Sequence, residues 1–144
     1  MDLKFSVKAT WQGVGKEGEG EIALGNTDLR YSAPASMGGK GVGASPEDLL
    51  LSAVTACYSG TLMRILKEKR LAAASVNVET EGVVEDFPKN PNFAQIIVNP
   101  VIQGGETGMI ARYREAAELA RERCFIGRTV RDSLTYSVGE VVVK

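Results

Sequence analysis

The chain has 144 residues, 44% hydrophobic and 24% charged, a composition that suits one folded domain, predicted here over residues 1–144. Its 17 basic and 18 acidic residues are mixed without a block of one sign, so we expect no nucleic-acid partner. The chain has no histidine, which excludes a Ser-His-Asp triad, a Cys-His pair and any His-ligated metal site.

The start of the chain carries no signal-peptide pattern, and nowhere do 18 apolar residues follow one another. We therefore expect a cytoplasmic protein without a membrane partner. Two cysteines are too few for a secreted disulfide scaffold, and without a CxxC spacing they cannot form a zinc site by themselves. What remains for covalent chemistry is thiol chemistry without an imidazole partner.

Alternating polar and apolar residues open the chain. The segment LKFSVKATW, from Leu3 to Trp11, predicts a half-buried strand, and the glycine-rich QGVGKEGEG leads to a second strand near EIAL. The segment DLRYSA predicts a third strand. The glycine-rich loop that follows, PASMGGKGVGAS, lacks the GxxxxGK[ST] spacing of a phosphate-binding loop, so it predicts no nucleotide site.

A helix is predicted to begin next, in SPEDLLLSAVTACYSGTLMRIL. Ser45 suits the N-cap, Pro46 suits the first helical position, and Asp48 closes a variant of the capping box. The first half of this helix, which contains Cys57, has almost no polar face, and such a surface must be covered on all sides. The second half becomes amphipathic towards KEKRL.

Two strands, SVNVETEGVVE and NFAQIIVNPVIQ, are predicted on either side of the turn-rich DFPKNPN. A second helix is expected from Gly108 to Cys124, with Gly127 as its stop and one more turn in RTVRDSL. LTYSVGEVVV predicts the last strand. One apolar stripe with spacings of three and four residues runs along the second helix, through Ile110, Tyr113, Ala117, Ala120 and Cys124.

This order of elements predicts an α+β fold in which antiparallel sheets cover hydrophobic helices. One chain of this length offers few layers to cover a helix that is apolar all round. A second copy of the chain could cover the remaining apolar surface of the helix, so we predict a homodimer with these helices near its centre.

The segment SPEDLLLSAVTACYSGTL, with its Pro-Glu opening and Cys57 ten residues after Glu47, resembles the signature of the OsmC/Ohr family. This family comprises osmotically inducible protein C and the organic hydroperoxide resistance proteins. The second cysteine after an amphipathic helix, Cys124 in RERCFIGRTV, is similar to the family's other landmark. The resemblance covers essentially the whole chain and implies an OsmC-like fold in an intertwined homodimer.

It also implies thiol-dependent reduction of organic hydroperoxides, with Cys57 as the peroxidatic thiol and Cys124 as the resolving one. Cys57 would become a sulfenic acid and condense with Cys124 to a disulfide. A dithiol or dithiol protein would then reduce that disulfide by exchange. An apolar pocket around Cys57 would favour organic peroxides over hydrogen peroxide, and the reaction implied by the resemblance would require no metal and no organic cofactor.

Burial raises the pKa of a thiol, so a nearby cation is expected to offset it. In the family, an arginine of the early hairpin, oriented by the Pro-Glu glutamate, has this role. Glu47 matches the glutamate, but Glu17 stands about where the arginine would be expected. Lys16 is the nearest cation, and Arg30 and Arg128 are the other candidates.

Ten residues of helix separate Glu47 from Cys57 by about 15 Å along the axis and roughly 280° around it. Glu47 would therefore belong to the other subunit's site, or act through a cation that arrives from a loop. Three alternatives without a catalytic role stay open: both cysteines pack as small hydrophobic side chains, Glu47 interacts favourably with the helix dipole, and Lys16 is a solvated surface charge. A non-catalytic dimer of the same fold that binds a small apolar ligand is the alternative function.

Overall fold

A computed structural model describes residues 1–144 and divides them into an N-terminal unit, Met1–Leu50, and a C-terminal unit, Leu51–Lys144. Strands and helices follow the predicted order, and the fold is α+β. The prediction of one domain over residues 1–144 stays a prediction, and each unit is described by itself.

The N-terminal unit is built on a three-stranded antiparallel sheet of β1 (Lys8–Gln12), β2 (Glu19–Leu24) and β3 (Thr27–Tyr31), in that order. A six-residue connection that contains the 3₁₀ turn Gly15–Glu17 joins β1 to β2, and a two-residue turn joins β2 to β3. The rings of Trp11 and Tyr31 lie on the same face, with centroids 5.4 Å apart, and hold the two outer strands together across β2.

The first strand was predicted from Leu3 to Trp11, but β1 begins only at Lys8. Residues 1–7 lie outside any strand, and Leu3 and Phe5 are 69% and 90% exposed. The alternation of apolar residues has the period of a strand, but β1 is the edge of its sheet and residues 1–7 pair with no other strand of the chain.

Helix α1 (Pro46–Glu68) begins at the predicted capping box. The Asp48 backbone N–H donates to Ser45 Oγ at 3.1 Å, and the Ser45 backbone N–H donates to Asp48 Oδ2 at 2.9 Å. These two bonds satisfy donors that the first turn of a helix leaves unpaired, and they fix where the helix starts.

The second half of α1 is amphipathic, as predicted, with Arg64, Lys67 and Glu68 exposed, but it is the more buried half of the helix. Within the first half, Ala53 and Ala56 are exposed and Cys57 is half-buried. The apolar surface that was predicted to be covered on all sides is therefore only partly covered by this chain. The buried residues of α1 are Val54, Tyr58, Thr61, Leu62, Ile65 and Leu66.

Length and composition would also allow α1 to cross a membrane, since its mean hydropathy reaches 1.5 over 18 residues. A core helix of a soluble protein has the same properties, so this observation is weak support for a membrane span.

The sheet of the C-terminal unit is mixed. Strands β4 (Ser75–Glu85) and β5 (Asn92–Gln103) form the predicted hairpin, while β6 (Thr135–Val138) and β7 (Val142–Val143) both pair with β5 in parallel. The parallel pairing follows from the long helical crossover between β5 and β6. The expected last strand is thus divided in two, and only part of the sheet is antiparallel.

That crossover contains helices α2 (Ile110–Arg123) and α3 (Phe125–Val130). The predicted stripe of α2 is confirmed, since Tyr113, Ala117, Ala120 and Cys124 are all fully buried. The core joins this stripe to α1 and to alternate residues of β5, namely Ile96, Val98 and Ile102.

The prediction that Gly127 stops α2 is wrong, because Gly127 lies inside α3. The helix ends at Arg123 because Cys124 has an extended backbone, with φ −61° and ψ 113°. A Cβ at position 127 would overlap the Tyr136 ring, so glycine is required there for close packing of α3 on β6.

Candidate functional site

Cys57 and Cys124 lie together in the C-terminal unit, close enough that each thiol influences the pKa of the other. Cys57 projects from α1 and is half-buried, whereas Cys124 is fully buried. The disulfide between them that the resemblance implies stays a prediction.

The position of Cys57 is fixed by its neighbour in sequence. Tyr58 is fully buried, and its hydroxyl donates to the Ala117 carbonyl of α2 at 3.0 Å. One turn earlier on α1, the hydroxyls of Thr55 and Thr80 are 2.6 Å apart and join the helix to β4. Helix α1 is thereby held between α2 and the sheet.

Cys124 occupies the single extended residue between α2 and α3. Its backbone N–H donates to the Ala120 carbonyl at 2.9 Å, and its carbonyl accepts from the Arg128 N–H at 2.9 Å. The Cys124 thiol also makes a weak contact with the Val54 carbonyl of α1, at 4.0 Å. These contacts hold the sulfur at the point where α1, α2 and α3 meet.

The two thiols have opposite acidities. Burial raises the pKa of Cys57, but hydrogen bonds from the Ile126 N–H, the Cys124 thiol, the Phe125 N–H and the Thr61 hydroxyl outweigh burial and hold that pKa below its ordinary value. Burial dominates at Cys124 and raises its pKa. Cys57 is therefore the thiol that ionises first, and Cys124 keeps its proton to higher pH.

This balance differs from the one expected from sequence. A cation was expected to offset the burial of Cys57, whereas the principal opposing effects are hydrogen bonds from α1 and from the start of α3. Thr61 and the backbone of Phe125 and Ile126 were missed. Thr61 could have been found, because four residues of helix place it on the face of Cys57.

Tyr136 was also missed. Its side chain is 5% exposed, and its hydroxyl makes no hydrogen bond of good geometry, although it lies close enough to the Cys124 sulfur to influence it. Burial raises the pKa of Tyr136, so it carries its proton throughout the neutral range. No sequence pattern links a residue of the last strand to Cys124.

Glu47 and Lys16 lie in the N-terminal unit and are not paired with each other. Glu47 is in the first turn of α1, and its Oε1 is buried without a hydrogen-bond partner. Lys16 is exposed in a 3₁₀ turn, Gly15–Glu17, and forms no ion pair. Arg30 pairs with Glu19 at 3.2 Å, and Arg128 is an exposed residue of α3.

The comparisons with known proteins agree with this fold. The family model of OsmC-like proteins matches residues 38–138. The uncharacterized protein YmaD of Bacillus subtilis (strain 168) is 27% identical over 136 residues, which cover 92% of this chain and 90% of that protein.

Several solved structures share the fold at low identity. The organic hydroperoxide resistance protein OsmC of Legionella pneumophila has a TM-score of 0.74 at 19% identity, covering 98% of this chain and 99% of its own. An OsmC-like protein of unknown function from Vibrio cholerae has a TM-score of 0.75 at 18% identity, with coverages of 98% and 100%. An OsmC-like protein from Mycoplasma pneumoniae has a TM-score of 0.75 at 16% identity, with 99% of both chains covered. The resemblance seen in the sequence is confirmed, and the chain belongs to the family of OsmC-like proteins.

Proposed function

We propose that the protein is a cysteine-based reductase of organic hydroperoxides. The observation that carries the proposal is the neighbouring pair of Cys57 and Cys124, in which the half-buried thiol has the lowered pKa and the buried thiol has the raised pKa. A peroxidatic cysteine needs to be accessible and ionised, and a resolving cysteine needs to wait beside it as a thiol.

The reaction would run in three steps. The Cys57 thiolate attacks the terminal peroxide oxygen; a sulfur–oxygen bond forms, the oxygen–oxygen bond breaks, and the alcohol leaves with a proton from solvent. Cys124 then attacks the sulfur of the Cys57 sulfenic acid, so that a disulfide forms and water leaves. A dithiol or dithiol protein restores both thiols by exchange and is itself oxidised to a disulfide.

The substrate class rests on the relatives. The Legionella protein is named an organic hydroperoxide resistance protein, and this chain shares its fold. We propose the same class here, and a cytoplasmic location, where two cysteines without a structural partner stay reduced.

A cation remains part of the proposal. The buried Oε1 of Glu47 has no donor within this chain, and burying a carboxylate oxygen unpaired is costly. A cation that reaches Glu47 in the assembled protein would both satisfy it and stabilise the Cys57 thiolate. Lys16 is our candidate because it forms no ion pair, whereas Arg30 is already bound to Glu19.

We also propose that the protein is a homodimer. Leu3, Phe5 and Val7 are exposed at alternate positions, every residue of β1 is exposed, and α1 presents Ala53 and Ala56 to solvent. Exposed apolar surface beside an unpaired strand edge is typical of an interface. A second copy of this chain would cover it.

Peroxide consumption with a small dithiol as reductant tests the proposal. We expect the wild type to consume cumene hydroperoxide catalytically, Cys57→Ser to lose this activity, and Cys124→Ser to complete one turnover and then stall. Equal slow consumption by the wild type and Cys57→Ser would overturn the proposal.

One observation favours a second candidate, a non-catalytic dimer that binds a small apolar ligand. Glu17 stands where the family's arginine is expected, and the candidate cation Lys16 lacks the planar fork that could hold a carboxylate and a peroxide together. This candidate predicts that both thiols persist in the presence of peroxide.

A further inference from the structure

The Tyr136 hydroxyl is a buried donor that the reduced protein does not use. Its side chain is 5% exposed, its oxygen is inaccessible to solvent, and no acceptor lies in good hydrogen-bond geometry. Buried polar groups are nearly always paired, and leaving one unpaired carries a free-energy penalty. Such a group calls for an acceptor that exists in another state of the protein.

The acceptor in question is the sulfur of Cys124. The Tyr136 hydroxyl and this sulfur lie close enough to interact, and the interaction favours the ionised form of Cys124. In the reduced protein Cys124 is a thiol, which is a weak acceptor, and its S–H is directed to the Val54 carbonyl at 4.0 Å. A thiolate at Cys124 would be a much stronger acceptor.

The packing of Tyr136 shows that its place beside Cys124 is constrained. Its ring lies against Gly127, where even a Cβ would overlap it, and Gly127 follows Cys124 by three residues, close enough to lower the pKa of that thiol. The Tyr136 backbone is fixed by pairing of β6 with Ile96 of β5. The hydroxyl therefore cannot move away from the sulfur without unpacking α3 from the sheet.

We propose that Tyr136 is a positioning residue for the resolving cysteine, its hydroxyl donating a hydrogen bond to the Cys124 thiolate whenever that thiolate forms. The proposal rests on the proposed function for its place in the reaction. When Cys124 attacks the Cys57 sulfenic acid, it loses its proton and the hydroxide that leaves Cys57 gains one, forming water. In the reductive step, a dithiol that attacks the Cys57 sulfur expels Cys124 as a thiolate.

Other titratable or charged groups around Cys124 must be held constant in any test. Cys57 and Tyr58 face it from α1, and Glu118 and Arg121 of α2 act on Tyr58. Tyr136 is the group that faces it from β6. A change of Tyr136 to Phe removes one oxygen, keeps the ring against Gly127 and leaves all the others in place.

The test measures the ionisation of Cys124 directly, without any peroxide. In a Cys57→Ser background, the ¹³Cβ chemical shift of the single remaining cysteine reports the thiol and thiolate forms, whether or not the sulfur is accessible. We expect Tyr136→Phe to move the titration midpoint to higher pH, because it removes a donor to the charged form. Tyr113→Phe is the matched control. It also removes a buried hydroxyl, but that hydroxyl donates to the Ala72 carbonyl at 2.6 Å and is not among the groups that act on Cys124.

A midpoint that is unchanged by Tyr136→Phe, or shifted equally by Tyr113→Phe, would overturn the proposal. A second measurement uses both cysteines: after one equivalent of peroxide, we expect Tyr136→Phe to form the Cys57 sulfenic acid at the wild-type rate but to close the disulfide about 3- to 10-fold more slowly. Equal closure rates would overturn the role in resolution. If Tyr136→Phe shifts the midpoint but the wild type consumes no peroxide, the hydrogen bond from Tyr136 to Cys124 is supported and the proposed function is overturned.

Discussion

At the scale of single residues, burial and hydrogen bonding together shift the pKa values of two neighbouring thiols in opposite directions. Burial raises the pKa of both thiols, but at Cys57 hydrogen bonding from α1 and from the start of α3 outweighs burial, whereas at Cys124 burial dominates. A thiolate is stabilised by each hydrogen bond that it accepts. The two neighbouring thiols therefore have opposite pKa shifts, with the pKa of Cys57 lowered and that of Cys124 raised.

Thr61→Val tests one of these donors. The change keeps the shape of a buried side chain and removes the hydroxyl that donates to Cys57, so the thiolate loses a stabilising bond and its titration midpoint moves to higher pH. We expect alkylation of Cys57 by iodoacetamide at pH 7 to slow by about 3- to 10-fold.

Thr55→Val is the control, two residues from Cys57 on the same helix. Its hydroxyl bonds Leu51 and Thr80, so we expect a lower free energy of unfolding with no change in the alkylation midpoint. A Thr61→Val midpoint equal to that of the wild type would show that the hydroxyl does not act on Cys57.

At the scale of elements, the break between α2 and α3 is what turns a buried stripe into a site. A continuous helix would leave Cys124 as one more residue of the stripe. The extended backbone at Cys124 redirects the chain, and the backbone N–H groups of Phe125 and Ile126 that follow it lower the pKa of Cys57. Gly127 makes this possible because it lets α3 approach the ring of Tyr136.

Gly127→Ala is expected to lower the free energy of unfolding by about 1–3 kcal/mol, since the added methyl overlaps the Tyr136 ring and forces a shift of α3. Urea denaturation measures this loss. Gly108→Ala is the matched control: nothing lies within 4 Å of a Cβ there, and its free energy of unfolding should stay within about 0.5 kcal/mol of the wild type. Equal stabilities for the two variants would contradict this account of the packing.

The elements themselves were largely predictable from the sequence. The capping box marks the start of α1, the strand segments SVNVETEGVVE and NFAQIIVNPVIQ coincide with β4 and β5, and the buried stripe of α2 follows its periodicity. The break at Cys124 was not, because Gly127 is a typical helix stop and only the ring of a distant strand explains its presence inside α3. Tyr136 and the backbone donors were missed for the same reason, since tertiary packing alone brings them to the thiols.

At the scale of the whole molecule, one chain leaves apolar surface uncovered that the sequence predicted to be buried. Alternating residues before β1 and the small residues of α1 are exposed, and the buried Glu47 oxygen has no donor. A homodimer would account for all three observations. It would also make the assembly part of the site, if the donor to Glu47 comes from the partner subunit.

Light scattering after size-exclusion chromatography checks the dimer. We expect a mass near twice the 15.4 kDa of one chain. Phe5→Glu places a charge at a position that is 90% exposed in one chain, so it should weaken the dimer only if that position is buried between copies. Lys4→Glu, at the neighbouring polar position, is the control; a monomeric wild type would contradict the account.

The central claim is that Cys57 and Cys124 form a working redox pair, and a count of free thiols tests it most directly. Free thiols and intact mass are measured before and after one equivalent of an organic hydroperoxide. We expect two thiols to fall to none, with a loss of about two mass units per chain, as disulfide formation requires. Two thiols that persist in excess peroxide would contradict the account and leave both cysteines as packed side chains.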